Sequence, residues 1–358
     1  MEKISIGQII NMNAIRYDRM TQIVSTAFTG SNATKVNIYI DLFNMIKTLY
    51  RDYNYVIDDY SDITSCIINI CAHYRSFFEE RYHVSSEIFL VFSTNTCSIN
   101  KALVDKYNSK TELMIMSNPK VTDMIDNNLK LLEILCPYLP DIYFIRTEYE
   151  TSVAIKYLID KRKDISPNIV VTKDIYNYQL AADMMNNVTI FRPSKAIINS
   201  QTIDNSYFIN HYNLFDTFLM ERKNNYKSTM DLYTAHLPII MALSRVPERN
   251  IKSLLNINVS INILSKMIEE HYIGSARVSD IEYVYEYIAN NVRTDIHGQL
   301  FLNRYKAIDI PSQLNILLTD SSSCLSIENG LINLYDPVAV QQINNEYFKH
   351  NPLDLNRL

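Results

Sequence analysis

Residues Ile38–Asn44 read I-Y-I-D-L-F-N and run on into Met45, Ile46 and Lys47. Apolar and aromatic positions lead to one carboxylate, Asp41, where a strand should end, and an amphipathic run follows at once. In an open α/β sheet, ligands and metals occupy the crevice outside the carboxyl ends of the strands. A buried strand closed by an acid delivers its charge to that crevice. The competing reading is simpler: Asp41 ends the strand and caps the helix behind it. The flanking segments decide whether this strand belongs to a parallel sheet.

Outward from that stretch, strand and helix signals alternate. Strands are expected at Glu87–Phe92 (E-I-F-L-V-F), Asp141–Arg146, Asn168–Thr172 (N-I-V-V-T) and Val188–Phe191. Between them, helices are expected at Asn44–Tyr53, Asp59–Tyr82, Val121–Cys136, Glu148–Lys161 and Tyr176–Met185. The second carries a stripe of Ile63, Cys66, Ile67, Ile70, Tyr74, Phe77 and Phe78. Glu148–Lys161 is expected to open with acids in its first turn, which the helix dipole favours. Alternation of this kind implies parallel βαβ units. Thr94–Lys120 is polar and reads either as a segment over a site or as a solvated connector. From about Asn210 helical patterns dominate, at Phe215–Glu221, Met230–Leu243, Ile261–Tyr272 and Asp280–Asn291. The tail from Ile296 is mixed and Asn-rich, with a last helix near Val338–Phe348. The expected division is a helical lead-in at 1–35, an α/β domain at 36–205, a helical region at 206–295 and an extension at 296–358.

The 358 residues are 47% hydrophobic and 20% charged, enough for a sizeable core. The only glycines are Gly7, Gly30, Gly274, Gly298 and Gly330, so Ser31–Ile273 holds none. That excludes a glycine-rich phosphate loop of Rossmann or P-loop type from the whole α/β stretch. Net charge is −5, so the overall field repels nucleic acid and any binding needs a local basic patch. The five cysteines (Cys66, Cys71, Cys97, Cys136 and Cys324) form no CxxC pair, and the seven histidines have no paired spacing. Neither a zinc site nor a triad is supported. No signal pattern or membrane-length apolar run is present. The expectation is a soluble intracellular protein with reduced thiols, not secreted.

Taken together, the order and wording of these segments resemble the 5′-nuclease family: flap endonucleases, phage 5′–3′ exonucleases and the wider PIN-like fold. The resemblance covers roughly residues 36 to 272. I-Y-I-D-L-F-N is similar to the family's opening strand, with Asp41 as its metal-binding acid and Asn44 three residues on. In P-D-I-Y-F-I-R-T-E-Y-E-T-S-V, Glu150 matches the Glu of a helix that opens Glu-Ala-Asp-Asp, while Thr151, Ser152 and Val153 replace the rest. N-I-V-V-T-K-D-I-Y-N-Y-Q-L resembles a strand and turn with two Asp before Gln-Leu; Asp174, Gln179 and Leu180 match, and Tyr176 replaces the second Asp. V-T-I-F-R-P-S-K fits the next strand. A-L-S-R-V-P-E-R-N-I-K-S-L-L looks like the start of a helix–three-turn–helix, in which Val246 and Arg249 stand where two metal-binding Asp belong. Ser93 likewise stands where the family has Asp. The stretch Ser253–Ser260 lacks the glycines with which such hairpins grip duplex phosphates.

The resemblance implies two Mg²⁺ ions about 4 Å apart in active relatives, held by carboxylates because Mg²⁺ is a hard octahedral cation. Here only Asp41, Glu150 and Asp174 survive, enough for one Mg or Mn ion at most; the competing reading has no cofactor. Lys101, Lys106, Lys110, Arg245, Arg249 and Lys252 offer a basic track for nucleic acid, against the reading of a solvated face. The Tyr-rich helix Asp280–Asn291 reads as a partner surface or as an internal packing face. What the resemblance implies for function is a degenerate member from a phage or large DNA virus, whose AT-rich coding the Ile, Asn, Lys and Tyr bias suits. The preferred expectation is a non-catalytic subunit or scaffold in a replication, transcription or virion assembly, partnered by other viral proteins. One alternative is a weak, single-metal, structure-specific nuclease; another is a module that binds branched or single-stranded DNA without cutting it. A scaffold should carry an exposed apolar patch on its C-terminal part.

Overall fold

The computed structural model describes residues 34–53, 60–94, 100, 103–104, 120–162, 166–182, 186–193, 195–198, 201–204, 206–214, 217–218, 237–244, 254, 260, 262, 277–291 and 295–358. The expected lead-in, the helices at Phe215–Glu221 and Ile261–Tyr272, nearly all of the helix–three-turn–helix stretch, and Lys101, Lys106, Lys110, Arg245, Val246, Arg249 and Lys252 lie wholly or mainly outside these residues.

Strand β1 is Lys35–Asp41, followed without a break by helix α1, Leu42–Tyr53; α2 is Tyr60–Tyr82 and β2 is Ser85–Ser93. Then come α3 (Lys120–Leu135), β3 (Ile142–Thr147), α4 (Thr151–Arg162) and β4 (Asn168–Val171). The sheet continues with β5 (Val188–Arg192), and after a separate hairpin of β6 (Lys195–Ile198) and β7 (Gln201–Asp204) it closes with β8 (Tyr207–Ile209). The strand order is β3-β2-β1-β4-β5-β8, parallel except for β8, which runs antiparallel to β5. β1 is central, so both its faces are buried, as its apolar wording requires.

Side chains alternate between two cores. Val36, Ile38 and Ile40 enter one with Leu90 and Val171, while Tyr39 enters the other with Phe89 and Val170. On the second face, Tyr39, Phe89 and Tyr143 are paired in register across β1, β2 and β3, and they stack at 4.9 and 5.1 Å. The Arg162 guanidinium lies 4.8 Å from the centre of the Phe89 ring. α1 and α2 cover the first face with α3.

Helices α5 (Leu237–Leu243), α6 (Arg277–Asn291), α7 (Asp295–Ile308), α8 (Ile310–Thr319), α9 (Ser321–Asn329) and α10 (Pro337–Tyr347) complete the described elements. Within α6, Val284 and Ile288 are fully buried, and Tyr285 lies over Gly298 of α7, where an added Cβ would meet its ring at 2.8 Å. Of the two readings of this Tyr-rich helix, the structure shows the internal packing face.

Three expectations need correction. The segment expected to be an α-helix at Tyr176–Met185 is a 3₁₀-helix over Ile175–Ala182. α4 starts at Thr151, so Glu148 and Glu150 precede it and no acid occupies its first turn. The tail read as mixed carries helix from Asp295 through four successive elements.

That tail wraps the sheet. Leu314, Leu317 and Ile327 belong to the core on the Tyr39 face, whereas Val340, Ile343, Phe348 and Leu353 belong to the core on the Ile38 face. In between, the chain rounds the β3 edge: Leu334 and Asp336 donate their amides to Pro137 and Tyr138 carbonyls at 2.7 and 3.2 Å. Its end is tied to α2, where Ser65 Oγ and Arg75 Nη1 donate to the backbone oxygens of Asn351 and Leu358 at 2.6 and 2.9 Å. A parallel sheet with an open edge strand invites further pairing, and here the chain covers that edge itself.

Candidate functional site: an acidic sheet edge

The carboxyl ends of β1, β3 and β4 each run into a helix, and each connection carries one of the three expected acids. Asp41, Glu150 and Asp174 are 3, 4 and 3% exposed. Each stands at a helix entrance. Asn44 N donates to Asp41 Oδ1 at 3.3 Å, Val153 N to the Glu150 carbonyl at 2.9 Å, and Tyr176 N to Asp174 Oδ1 at 3.1 Å. Asp41 thus closes a central strand and also caps α1. Helix N-termini favour negative charge, so the fold meets buried acid with backbone dipole.

The other Asp41 oxygen is met by side chains. Thr172 Oγ1 donates to Oδ2 at 2.9 Å, Asn177 Nδ2 at 3.2 Å, and Asn44 Nδ2 also donates to it. Thr172 is the hub of this cluster. Its Oγ1 also accepts from Asn177 Nδ2 at 2.8 Å and from the Asp174 amide at 3.0 Å. β1 and β4 are adjacent in the sheet, so Ile40 pairs with Val171 and brings Asp41 and Thr172 side by side. Sequence reasoning singled out Asp41, Asn44 and Asp174 and missed Thr172 and Asn177. The available signal was a polar residue ending a buried strand and an amide three positions after Asp174.

A shallow pocket opens beside this cluster, lined by Asp41, Asn44, Met45, Thr48, Val171, Thr172, Lys173 and Pro193. Of the three acids, Asp41 alone is in its wall. Among the described residues, no three His, Cys, Asp or Glu side chains are gathered as a metal ion would need.

Four of the positions at which the resemblance expects further acids are described, and all four are buried. Ser93 and Ser152 are 4 and 1% exposed, and Val153 is fully buried in the core. Tyr176 is 1% exposed and donates its hydroxyl to the Ala307 carbonyl at 3.3 Å. Gln179 binds the same connection, donating to the Ile308 carbonyl at 3.0 Å and accepting from Ile310 N at 3.3 Å. The 3₁₀ turn after β4 thus anchors the junction of α7 and α8. Among the described residues, Asp41 is thus engaged by protein donors, while Tyr176 and Gln179 anchor the tail.

No family model matches the chain, and no curated protein matches it. Solved structures do. The D15 flap endonuclease of bacteriophage T5, as a variant in complex with DNA and metal ions, is 11% identical with a TM-score of 0.52, covering 82% of this chain and 97% of its own. The catalytic core of Rad2 with a DNA substrate is 12% identical at TM-score 0.39, covering 100% and 89%. Human GEN1 with Holliday junction DNA is 10% identical at 0.41, covering 94% and 74%. The fold of this chain is that of the 5′-nuclease/PIN-like class, an α/β sheet domain with a helical C-terminal region. Among the described residues no helix is long and apolar enough to cross a membrane.

Proposed function

We propose that this chain is a catalytically degenerate 5′-nuclease-like protein of a phage or large DNA virus. In this reading it serves as a non-catalytic subunit or scaffold in a replication, transcription or virion assembly. The observation that carries the reading is the engagement of Asp41: Asn44, Thr172 and Asn177 occupy its acceptor positions with protein donors. A metal would have to displace those donors and leave buried polar groups unpaired, at about 1–3 kcal/mol each. Supporting it, Tyr176 anchors α7 instead of presenting an acid, and the low-glycine, Tyr- and Asn-rich composition suits a viral genome.

A second reading takes its support from the placement of Asp41, Glu150 and Asp174 after β1, β3 and β4, three parallel strands of one sheet whose carboxyl ends share one edge. There, a single Mg or Mn ion and a DNA strand would be held for slow, structure-specific cleavage. The DNA in the T5 flap endonuclease complex supports nucleic acid as a ligand for this reading, or for a module that binds without cutting. The separating experiment is cleavage of labelled 5′-flap and single-stranded DNA with Mg²⁺ and with Mn²⁺, Asp41→Ala run alongside. No cleavage by either protein is expected. Cleavage by the wild type that vanishes in Asp41→Ala overturns the scaffold reading and makes this a pared-down nuclease.

A further inference from the structure

Of the eight large apolar side chains exposed among the described residues, six fall in one short stretch of the tail: Leu318, Leu325, Ile332, Leu334, Tyr335 and Val338, each 56 to 64% exposed. This stretch is the part of the tail that rounds the β3 edge. Leu318 lies in the last turn of α8, Leu325 is on α9, which packs on β3, Leu334 and Tyr335 lie in the connection bonded to residues 137–139, and Val338 lies in the first turn of α10. A seventh exposed residue, Ile134, ends α3 just before Pro137, to which Leu334 bonds. Exposed apolar side chains gathered in this way mark interaction surfaces.

Charge says what covers it. From Ala307 to Phe348 the chain has five acids (Asp309, Asp320, Glu328, Asp336 and Glu346) and no Lys, Arg or His. Asp309 is buried and Glu328 pairs with Lys161. Asp320, Asp336 and Glu346 make no ion pair among the described residues. Asp320 and Asp336 cap α9 and α10. Hydrogen bonds from Ser322 and Ser323 draw the Asp320 carboxyl down to about 2, so its charge persists throughout the physiological range.

We propose that this strip is a docking surface for a basic amphipathic segment of a partner protein, its apolar stripe against Leu325 and Leu334 and its Lys or Arg residues against Asp320, Asp336 and Glu346. The sign of the rim disfavours nucleic acid and anionic lipid. It also disfavours a second copy, because a two-fold contact of this face on itself sets acid against acid. The assignment rests on the scaffold reading and names the kind of partner; the sheet edge at Asp41 takes no part in it.

The test uses the full chain and a synthetic helical peptide with a leucine stripe and a lysine face, beside the same peptide with a glutamate face, read by fluorescence anisotropy. The lysine peptide should bind, more weakly as salt rises, and the glutamate peptide should not. Leu325→Glu with Leu334→Glu should weaken binding by about ten-fold or more, with the melting temperature held. Asp336→Asn with Glu346→Gln should erode the preference for lysine over glutamate while leaving the apolar contact. Equal binding of both peptides, binding of neither, or concentration-dependent dimers that the double Leu→Glu variant abolishes would overturn the proposal. Cleavage activity in the flap assay with peptide binding intact would overturn the scaffold reading alone.

Discussion

Replacing Asn177 by Asp tests the claim that protein donors have taken the place of a cation at Asp41. Asn177 Nδ2 is 3.2 Å from Asp41 Oδ2 and 2.8 Å from Thr172 Oγ1. Asn177→Asp sets a second carboxylate there, 2% exposed as Asn177 is, with charge centres about 4 Å apart. At an effective dielectric of about 20 the repulsion is about 4 kcal/mol, and the lost donor adds to it. The sum is about 5 kcal/mol, and proton uptake caps it at about 5–6 kcal/mol at pH 8, so the expected loss of unfolding free energy there is about 4–5 kcal/mol. Repulsion requires both carboxyls to be ionised. The folded variant therefore binds more protons than its unfolded chain, and its deficit grows as pH rises and shrinks towards pH 5. Asn177→Ala removes the hydrogen bonds without adding charge and should cost less, with little pH dependence. The assay is thermal unfolding of all three proteins at pH 5 and pH 8, with and without millimolar Mn²⁺. Mn²⁺ should restore Asn177→Asp and leave the wild type unmoved. A variant that melts with the wild type at both pH values refutes the reasoning. So does a wild type that Mn²⁺ stabilises as much as the variant.

Two further substitutions probe the tail and its packing. Gly330 has an ordinary φ of −66°, but an added Cβ would meet the Phe144 carbonyl oxygen at 2.6 Å and Ile145 Cα at 3.1 Å. Because backbone must move, Gly330→Ala should cost about 1–3 kcal/mol and speed amide exchange in residues 331–338; unchanged exchange would show that the tail is not held by that approach. Arg304 is 7% exposed, and its Nε and Nη1 have no hydrogen-bond partner among the described residues. Burial pushes its guanidinium down to about 10. The unfavourable charge is present below that pH and is relieved above it, so Arg304→Met should raise stability by about 1–3 kcal/mol at pH 7. The gain should narrow above pH 10 in equilibrium unfolding; a less stable variant at pH 7 would place an anionic partner beside it.

Local wording carried the sheet. I-Y-I-D-L-F-N, E-I-F-L-V-F and N-I-V-V-T are short, apolar and β-branched or aromatic, and strand propensity and burial agree along each of them. The helices between them follow from apolar spacing, and parallel order follows from alternation. The three acids at the strand ends were legible for the same reason, since an ionisable residue closing a buried strand is conspicuous in sequence. Their surroundings were not. Thr172 and Asn177 reach Asp41 across 131 and 136 residues of chain, a proximity that only the pairing of β1 with β4 creates. Tyr176 reads in sequence only as a replacement for an acid, and it is the path of the tail that brings the Ala307 carbonyl to its hydroxyl.

The tail itself divides most sharply. Ala307–Phe348 holds five acids and no Lys, Arg or His, but nothing local tells an exposed leucine from a buried one. Leu317 is fully buried and Leu318 is 56% exposed, though they are neighbours. Which of them faces solvent is set by where α8 lands on α4 and how the chain turns the β3 edge, and those are long-range contacts. The sequence by itself determined the class of fold, the acids at its strand ends and the charge of the tail. Tertiary structure alone decided that protein donors satisfy Asp41 and that the tail leaves its apolar strip uncovered, because burial and hydrogen-bond partnership belong to the packed chain.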